Sequence, residues 1–532
     1  MQYPFRVGSP FPKIVNRITP SLAGLLAAVF LGLPAASLSA QSQWVFPGPD
    51  GRLVYGHTEK GDHIPDFSYA GYEGGGVALP TVPTTVTVQP TSGDDTAAIQ
   101  KAIDQVSALP LVNGFRGAVE LAPGTFHCKQ TLTISASGVV LRGAGLGDHG
   151  TTIVMTGSPH LALHIAGQIE RQYTGASIPI TDPYVPFGAS MLHVADAGRL
   201  HPGDTVRIRK PVTPAWIHFM GMDDLERPGR EEHWIGADHL DAWRRVVAIH
   251  GNTLTLDVPL MDSYDAQFFD GAQAEVHKIE LPGQLSHVAI ENLRIVAPKR
   301  RIAFGDPSFD GLVIDDAADS WVRSVAFEET TEGVRVNNGS ERITFLECNV
   351  TQHVPVTSHA KPTQFACNGS QILFDRCTGS GDETLYFATE ARQQGPVVVL
   401  HCRFQGNGAI EPHQRWSTGL LVDNCEVPHG SIAFRNRGEM GSGHGWTIGW
   451  AVAWNSSAHE IAMNMPPGSA IWSIGNRGAE TNPPFPGFDD RGHARLASAI
   501  VESPGKPVQP QSLYLEQLRE RLGDEALKNI GY

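Results

Sequence analysis

Four stretches of this chain share one ending. RITFLECNV (342–350), QILFDRCTG (371–379), VVVLHCRFQ (397–405) and LLVDNCEVP (420–428) each read apolar-x-apolar-x-x-Cys. The cysteines, Cys348, Cys377, Cys402 and Cys425, are separated by 29, 25 and 23 residues. Val325 fills the same slot 23 residues before Cys348, Leu293 fills it earlier still, and Ser456 fills it 31 residues after Cys425. Short alternating strands that recur at about 23 residues, with Gly and Asn turns between them, predict a solenoid. Equivalent residues of successive coils then stack about 4.8 Å apart, and the Cys slot becomes an inward-facing column. A buried free cysteine behaves as a small hydrophobe, so the four read as core thiols, with disulfides between coils as the alternative. No CxxC pair occurs, which argues against zinc.

The fold class expected is therefore all-β: a right-handed parallel β-helix with an N-terminal capping helix, an inserted β-rich subdomain and a C-terminal helix. Residues 92–106, SGDDTAAIQKAIDQV, give the capping helix. Asp94 or Asp95 serves as N-cap, and Ala98, Ile99, Ala102, Ile103 and Val106 recur at helical spacing. Residues 199–280 interrupt the coil pattern with two hairpin-like segments, RLHPGDTVRIRKPV and RRVVAIHGNTLTLDVPL. Between these lies a loop rich in Trp216, His218, Trp234, His239 and Trp243, read either as overhanging a substrate cleft or as only an elaborated turn. Residues 512–530 read as an amphipathic helix that closes the solenoid or packs on its side. The domain expectation runs 1–40 signal peptide, 41–198 cap and first coils, 199–280 insertion, 281–500 main β-helix with the active-site groove, and 501–532 helical segment.

The signal-peptide reading rests on Arg6, Lys13 and Arg17 ahead of the apolar run at residues 21–36, with small residues for cleavage near Ala40. That run is too short to be a comfortable membrane span. Residues 1–40 hold three Lys or Arg and no acid, so their removal takes the formal net charge from −15 to −18. Such an acidic balance argues against nucleic acid as a partner, which calls for a broad basic face. A soluble exported monomer is expected, with no membrane insertion.

With that helix, GAVELAPGTFHCKQTLTI and SGVVLRGAGLGDHGTTIVM complete an N-terminal signature. The chain here resembles the pectate-lyase-like β-helix superfamily, over residues 66–160 and, through the coils, about 281–478. The resemblance implies a helix plugging the end of the solenoid and action on polysaccharide.

Residues 408–438, GAIEPHQRWSTGLLVDNCEVPHGSIAFRNRG, concentrate Glu411, His413, Arg415, Arg435 and Arg437. Coil spacing lines up Glu390, His413 and Arg435 in one column, with Arg392, Arg415 and Arg437 beside it. A surface ladder of unlike charges is one reading. The other is a site for an anionic sugar, favoured by Trp416 next to Arg415 and by His444 and Trp446 on the following glycine-rich loop. EPHQRWSTGLLVDN followed by GSIAFRNR is similar to the motif of mannuronan C5-epimerases. That resemblance assigns proton abstraction to His413 and the uronate carboxylate to Arg435. Glu411 stands where that family has Asp, and Gln414 where an acid is common.

The chemistry asks for these residue types. The uronate C5 proton is very weakly acidic. Its removal needs a cation on the carboxylate and a base within hydrogen-bond reach. A lyase then expels the O4 group; an epimerase reprotonates C5 from the other face. The expectation is a lyase acting by β-elimination, with His413, Arg435, Arg415, Arg437 and His444 as catalytic candidates. Glu390, Glu411, Arg392, Trp416, Trp446, Lys361, His359 and His353 are the substrate-binding candidates. Tyr386 is a candidate proton donor. No metal ligand is assigned; Ca2+ is retained as an option to assist an Arg, without a defined carboxylate cluster. A β-helix hydrolase is the weaker reading. Gly443-His444-Gly445 and Asp315-Asp316 are 128 residues apart, where β-helix polygalacturonases keep such motifs about one coil apart. A non-catalytic carbohydrate-binding β-helix is less favoured by the His and Arg concentration.

Overall fold

The structure, a computed structural model, describes residues 40–223, 225–227, 230–231, 233–303, 305–354, 361–482 and 496–532. The expected leader falls almost wholly outside these residues, as does His359. Among the described residues no helix is long and apolar enough to cross a membrane.

The chain winds as a right-handed parallel β-helix in which 29 strands join one continuous hydrogen-bonded sheet system. Each full coil contributes to three ladders. The first contains Glu341–Leu346, Ser370–Asp375, Gln394–Leu400, Ser417–Asp423, Ile448–Trp454 and Ile471–Ile474. The second contains Asn349–Thr351, Thr378–Ser380 and Arg403–Gln405. The third contains Asp310–Asp315, Val334–Val336, Thr363–Cys367, Leu385–Thr389 and Ala409–Ile410. Asn349, Thr378, Arg403, Glu426 and Ser457 pair in succession. The residues just before them, Cys348, Cys377, Cys402, Cys425 and Ser456, therefore form the expected column. All four cysteines are buried and free, as are Cys128 and Cys367. Each of the four column thiols donates to a carbonyl of the preceding coil, as Cys425 does to Val399 at 3.2 Å.

The sharp corner before this column has a backbone cause. Glu347, Arg376, His401 and Asn424 all sit at φ between 50° and 53°. A left-handed non-glycine residue costs about 1 kcal/mol. The bonds from Arg376 N to Leu400 O, at 2.9 Å, and from His401 N to Asp423 O, at 3.0 Å, offset it by linking adjacent coils. Inside, Phe345 and Phe374 stack at 4.6 Å. The Thr96–Ser107 helix closes one end by burying Ile99, Ala102, Ile103 and Val106 in the same core. Asp95 is its N-cap by position, but its carboxylate accepts from Thr91 and His127 N instead of capping the helix.

The insertion starts earlier than expected. Gln172–Pro179 pairs antiparallel with Glu275–Glu280 in a six-stranded sheet, so the inserted unit begins at 172, not 199. Its own core includes Val206, Ile208, Val246, Leu254 and Val276. A second apolar layer lies outside the first ladder, where Trp216 and Trp234 of the insertion meet Trp416, Trp446, Trp450 and Trp472 of the coils. The C-terminal segment is two helices, Leu513–Leu522 and Asp524–Asn529, broken at Gly523 with φ 81°. They pack on that same layer rather than over the end of the solenoid. Ser512 and Tyr514 N bind the buried Asp423 carboxylate, and Tyr532 binds Asp375 at 2.6 Å.

Candidate functional site

The third ladder presents the ionic face. Val334 and Val336 point into the core, so Arg335 between them points out, in register with Ala366 and Ala388. The chain beyond Thr389 and Ile410 keeps the stack: Glu411 N bonds to Phe387 O and His413 N to Thr389 O, each at 2.9 Å. Glu390 and His413 are thereby neighbours on adjacent coils, with Glu390 Oε2 3.0 Å from His413 Nδ1. The other Glu390 oxygen accepts from Arg335 Nη1 at 3.2 Å, and Arg335 forks onto Glu332. Burial pushes the Glu390 carboxyl up, but His413 and Arg335 outweigh it and hold the group below the usual range.

This settles the imidazole's orientation. An ionised carboxylate only accepts hydrogen bonds, so Nδ1 must carry the proton. In neutral His413 the lone pair is then on Nε2. The side chain is 32% exposed, enough for a ligand to reach it. His444 meets the ring edge-to-face at 4.8 Å. On the coil of His413 itself, Glu411 lies between Arg435, at 3.3 Å, and Arg437, at 3.7 Å, of the next coil, and Arg437 Nη1 donates to the His413 carbonyl at 2.9 Å. Two guanidiniums share this one carboxylate, while over the whole cluster Arg335, Arg435 and Arg437 balance Glu332, Glu390 and Glu411. Burial pulls the Arg437 guanidinium down, as does Arg435, against the opposing pull of Glu411.

Other expected members lie elsewhere. Trp416 and Trp446 are not sugar platforms. Both are buried, Trp416 donating to Asp262 at 2.9 Å and Trp446 to Met220 O at 2.9 Å. The tight glycines around His444 serve the same packing: a Cβ on Gly445 would come within 2.4 Å of Trp234. Arg415 turns its guanidinium to Ser442, whose hydroxyl accepts at 2.8 Å. Arg392 leaves the column at a left-handed turn, φ 62°, and lines a cleft beneath the insertion. His353 pairs with Glu329 and Lys361 with Glu383 at 3.6 Å, neither meeting His413. Tyr386 is interior, its hydroxyl bonded to Gly381 O and Gly408 N, and cannot serve an external substrate as donor. Arg335 and Glu332 escaped the sequence reading, although the alternation of Val334-Arg335-Val336 marks Arg335 as outward. The same face carries His164 on Asp315 at 2.7 Å, and Asp310 beside Glu332. Burial and the Glu332 charge push the Asp310 carboxyl up. Among the described residues no group of three His, Cys, Asp or Glu is placed to hold a metal ion.

Fold and face together define a parallel β-helix with a carboxylate-oriented imidazole flanked by arginines. No family model matches the chain, and no characterised protein matches it by sequence. Solved structures that it resembles include the tailspike gp49 of Pseudomonas phage LKA1, at 14% identity and TM-score 0.33 over 73% of this chain and 70% of that one. The gp54 tailspike of Acinetobacter baumannii bacteriophage AP22, in complex with a capsular saccharide, matches at 9% identity and TM-score 0.26, over 79% of this chain and 73% of that one. A mutant tailspike of E. coli bacteriophage HK620, in complex with a pentasaccharide, matches at 11% identity and TM-score 0.39, over 78% of this chain and 63% of that one.

Proposed function

We propose that this chain is an exported polysaccharide lyase that cleaves a uronic-acid-containing polymer by β-elimination. One observation carries the reading: His413 is oriented by an ionised Glu390 and stands beside Arg435 and Arg437, two guanidiniums held by the single carboxylate of Glu411. His413 Nε2 takes the C5 proton. The freed electron pair forms the C4–C5 double bond as the C4–O4 bond breaks, and the departing oxygen takes up a proton. Arg435 and Arg437 stabilise the charge that builds on the substrate carboxylate. An epimerase would pass through the same carbanion.

A second reading has its own support in Asp310 and Glu332, neighbours on stacked coils. One carboxyl is pushed up while the other is engaged by Arg335, a division suited to the acid and base of a glycosidase. Incubation with a panel of uronic polysaccharides separates the readings. Ultraviolet absorbance from unsaturated uronate ends is the lyase outcome. New reducing ends without that absorbance overturn it in favour of hydrolysis.

A further inference from the structure

The insertion does not seal the whole outer face of the first ladder. Next to the tryptophan-rich layer it leaves a two-lobed cleft of about 400 and 280 Å³, the lobes sharing Trp243, Arg244 and Glu341. These volumes approach or fall within the range of small-ligand sites, about 300–1,000 Å³. Arg244 is the strut between the lobes: it is buried and donates to Val258 O, Pro259 O and, across to the coils, Gly395 O. Arg342 is likewise engaged by Asp319 and Glu341.

The smaller lobe differs. Asn338, Asn368 and Arg392 line it, and none of their side chains has a hydrogen-bond or ionic partner among the described residues. Gln394 also lines it. This residue is 9% exposed; its carbonyl accepts from Thr418, while its Nε2 is buried with no partner. Its Nε2 is closed off from solvent, so Gln394 shapes the wall of the lobe and does not reach a ligand. Trp243 is half-buried at the junction of the lobes, with Arg171 5.2 Å from its ring centroid. Two carboxylates also line the lobe, but Asp241 is engaged by Arg209 and His239 and Glu341 by Arg342. An indole at the junction, the Asn338 and Asn368 amides and the guanidiniums of Arg171 and Arg392 are what remain for a sugar ring with hydroxyl acceptors and a carboxylate.

We propose that this cleft is a second, non-catalytic saccharide site that binds a carboxylate-bearing oligosaccharide. A ring packs on Trp243, Asn338 and Asn368 hydrogen-bond its hydroxyls, and Arg392 with Arg171 takes the carboxylate. The site stands on the geometry of the cleft; only the acidic character of its sugar rests on the proposed function.

Calorimetric titration with hexagalacturonate and hexamannuronate tests it, with maltohexaose as the neutral probe. It is run on the full chain and on His413→Ala, Trp243→Ala, Trp243→Phe and Arg392→Ala. One acidic probe should titrate to two sites per chain in wild type and in His413→Ala, which keeps the arginines of the catalytic face, and one of the two should weaken about tenfold or more in Trp243→Ala and Arg392→Ala. Trp243→Phe should recover part of the loss. Arg392 stands at an exposed turn, so its variant is expected to fold and keeps the test decisive. Two unaltered sites in both Trp243→Ala and Arg392→Ala overturn the cleft, as does a single site or no binding of either acidic probe in wild type. Equal binding of maltohexaose overturns its acidic specificity. Cleft binding without unsaturated product leaves this site standing and removes the lyase; product with unaltered binding in the cleft variants does the reverse.

Discussion

Replacing Glu390 with Gln isolates the orienting role of its carboxylate. Shape and reach are kept, and charge is lost. The amide can turn its NH2 toward His413 Nδ1, now 3.0 Å from a carboxylate oxygen, and so favour the tautomer with no lone pair on Nε2. The same kind of change in a buried catalytic triad lowers turnover about 10⁴-fold. His413 is one-third exposed, so water competes for the ring and a smaller loss, about 10²–10³-fold in kcat with little change in KM, is expected. Arg335 keeps the amide oxygen as an acceptor and its fork onto Glu332, and loses only the Glu390 charge, which should cost about 1 kcal/mol of stability or less. Because the Glu390 carboxyl is held below its ordinary range, its contribution to stability is present above the unfolded value near 4.3 and fades as pH falls through the lower folded value. Glu390→Gln should therefore flatten acid destabilisation below about pH 4. Initial rates of unsaturated-end formation, with Tm across pH, measure both effects. A kcat within about threefold of wild type in a folded variant, or a loss confined to KM, would refute the orienting role.

Arg435→Ala and Arg437→Ala should each lower turnover, at least one by about 10²-fold or more, and Lys at the more sensitive position should recover little if the carboxylate contact is bidentate; steady-state rates check this, and normal activity in both Ala variants moves the site. Burial pushes Asp375 up to about 7 and Asp423 up to about 6. Both carboxyls keep their protons in the fold after the unfolded chain has lost them, so stability falls as pH rises from near 3.9 through these values. Asp375→Asn should remove its share, up to about 4 kcal/mol, so denaturant midpoints at pH 5 and 8 should differ less than in wild type; an unchanged difference contradicts the reading. Thiol titration of the unfolded, unreduced protein should find all six cysteines free, and full oxidation would contradict the interior column.

The Cys column was legible because an inward slot recurs once per coil and admits only small or apolar groups. Its register could be read from Leu293 to Ser456. The neighbourhood of Glu390 and His413 followed from coil length alone. Arg392 did not, because its left-handed turn sends the side chain toward the insertion, and strand alternation says nothing about a corner. Trp416 and Trp446 misled because an indole suits a sugar face and a protein core equally well. What decides between them is the insertion, whose Trp216 and Trp234 come from some 180 to 230 residues earlier. The start of that insertion was hidden because Gln172–Pro179 is mostly exposed and polar and has the composition of a loop.

The central claim is that His413 removes the C5 proton, and reaction in deuterium oxide with His413→Ala beside wild type tests it most directly. Wild-type protein should form unsaturated uronate ends from the susceptible polymer. The variant should form essentially none while retaining its fold and most of its affinity for the polymer. Product from His413→Ala at near wild-type rate would contradict the claim, and deuterium at C5 of an uncleaved polymer would make the wild-type reaction an epimerisation.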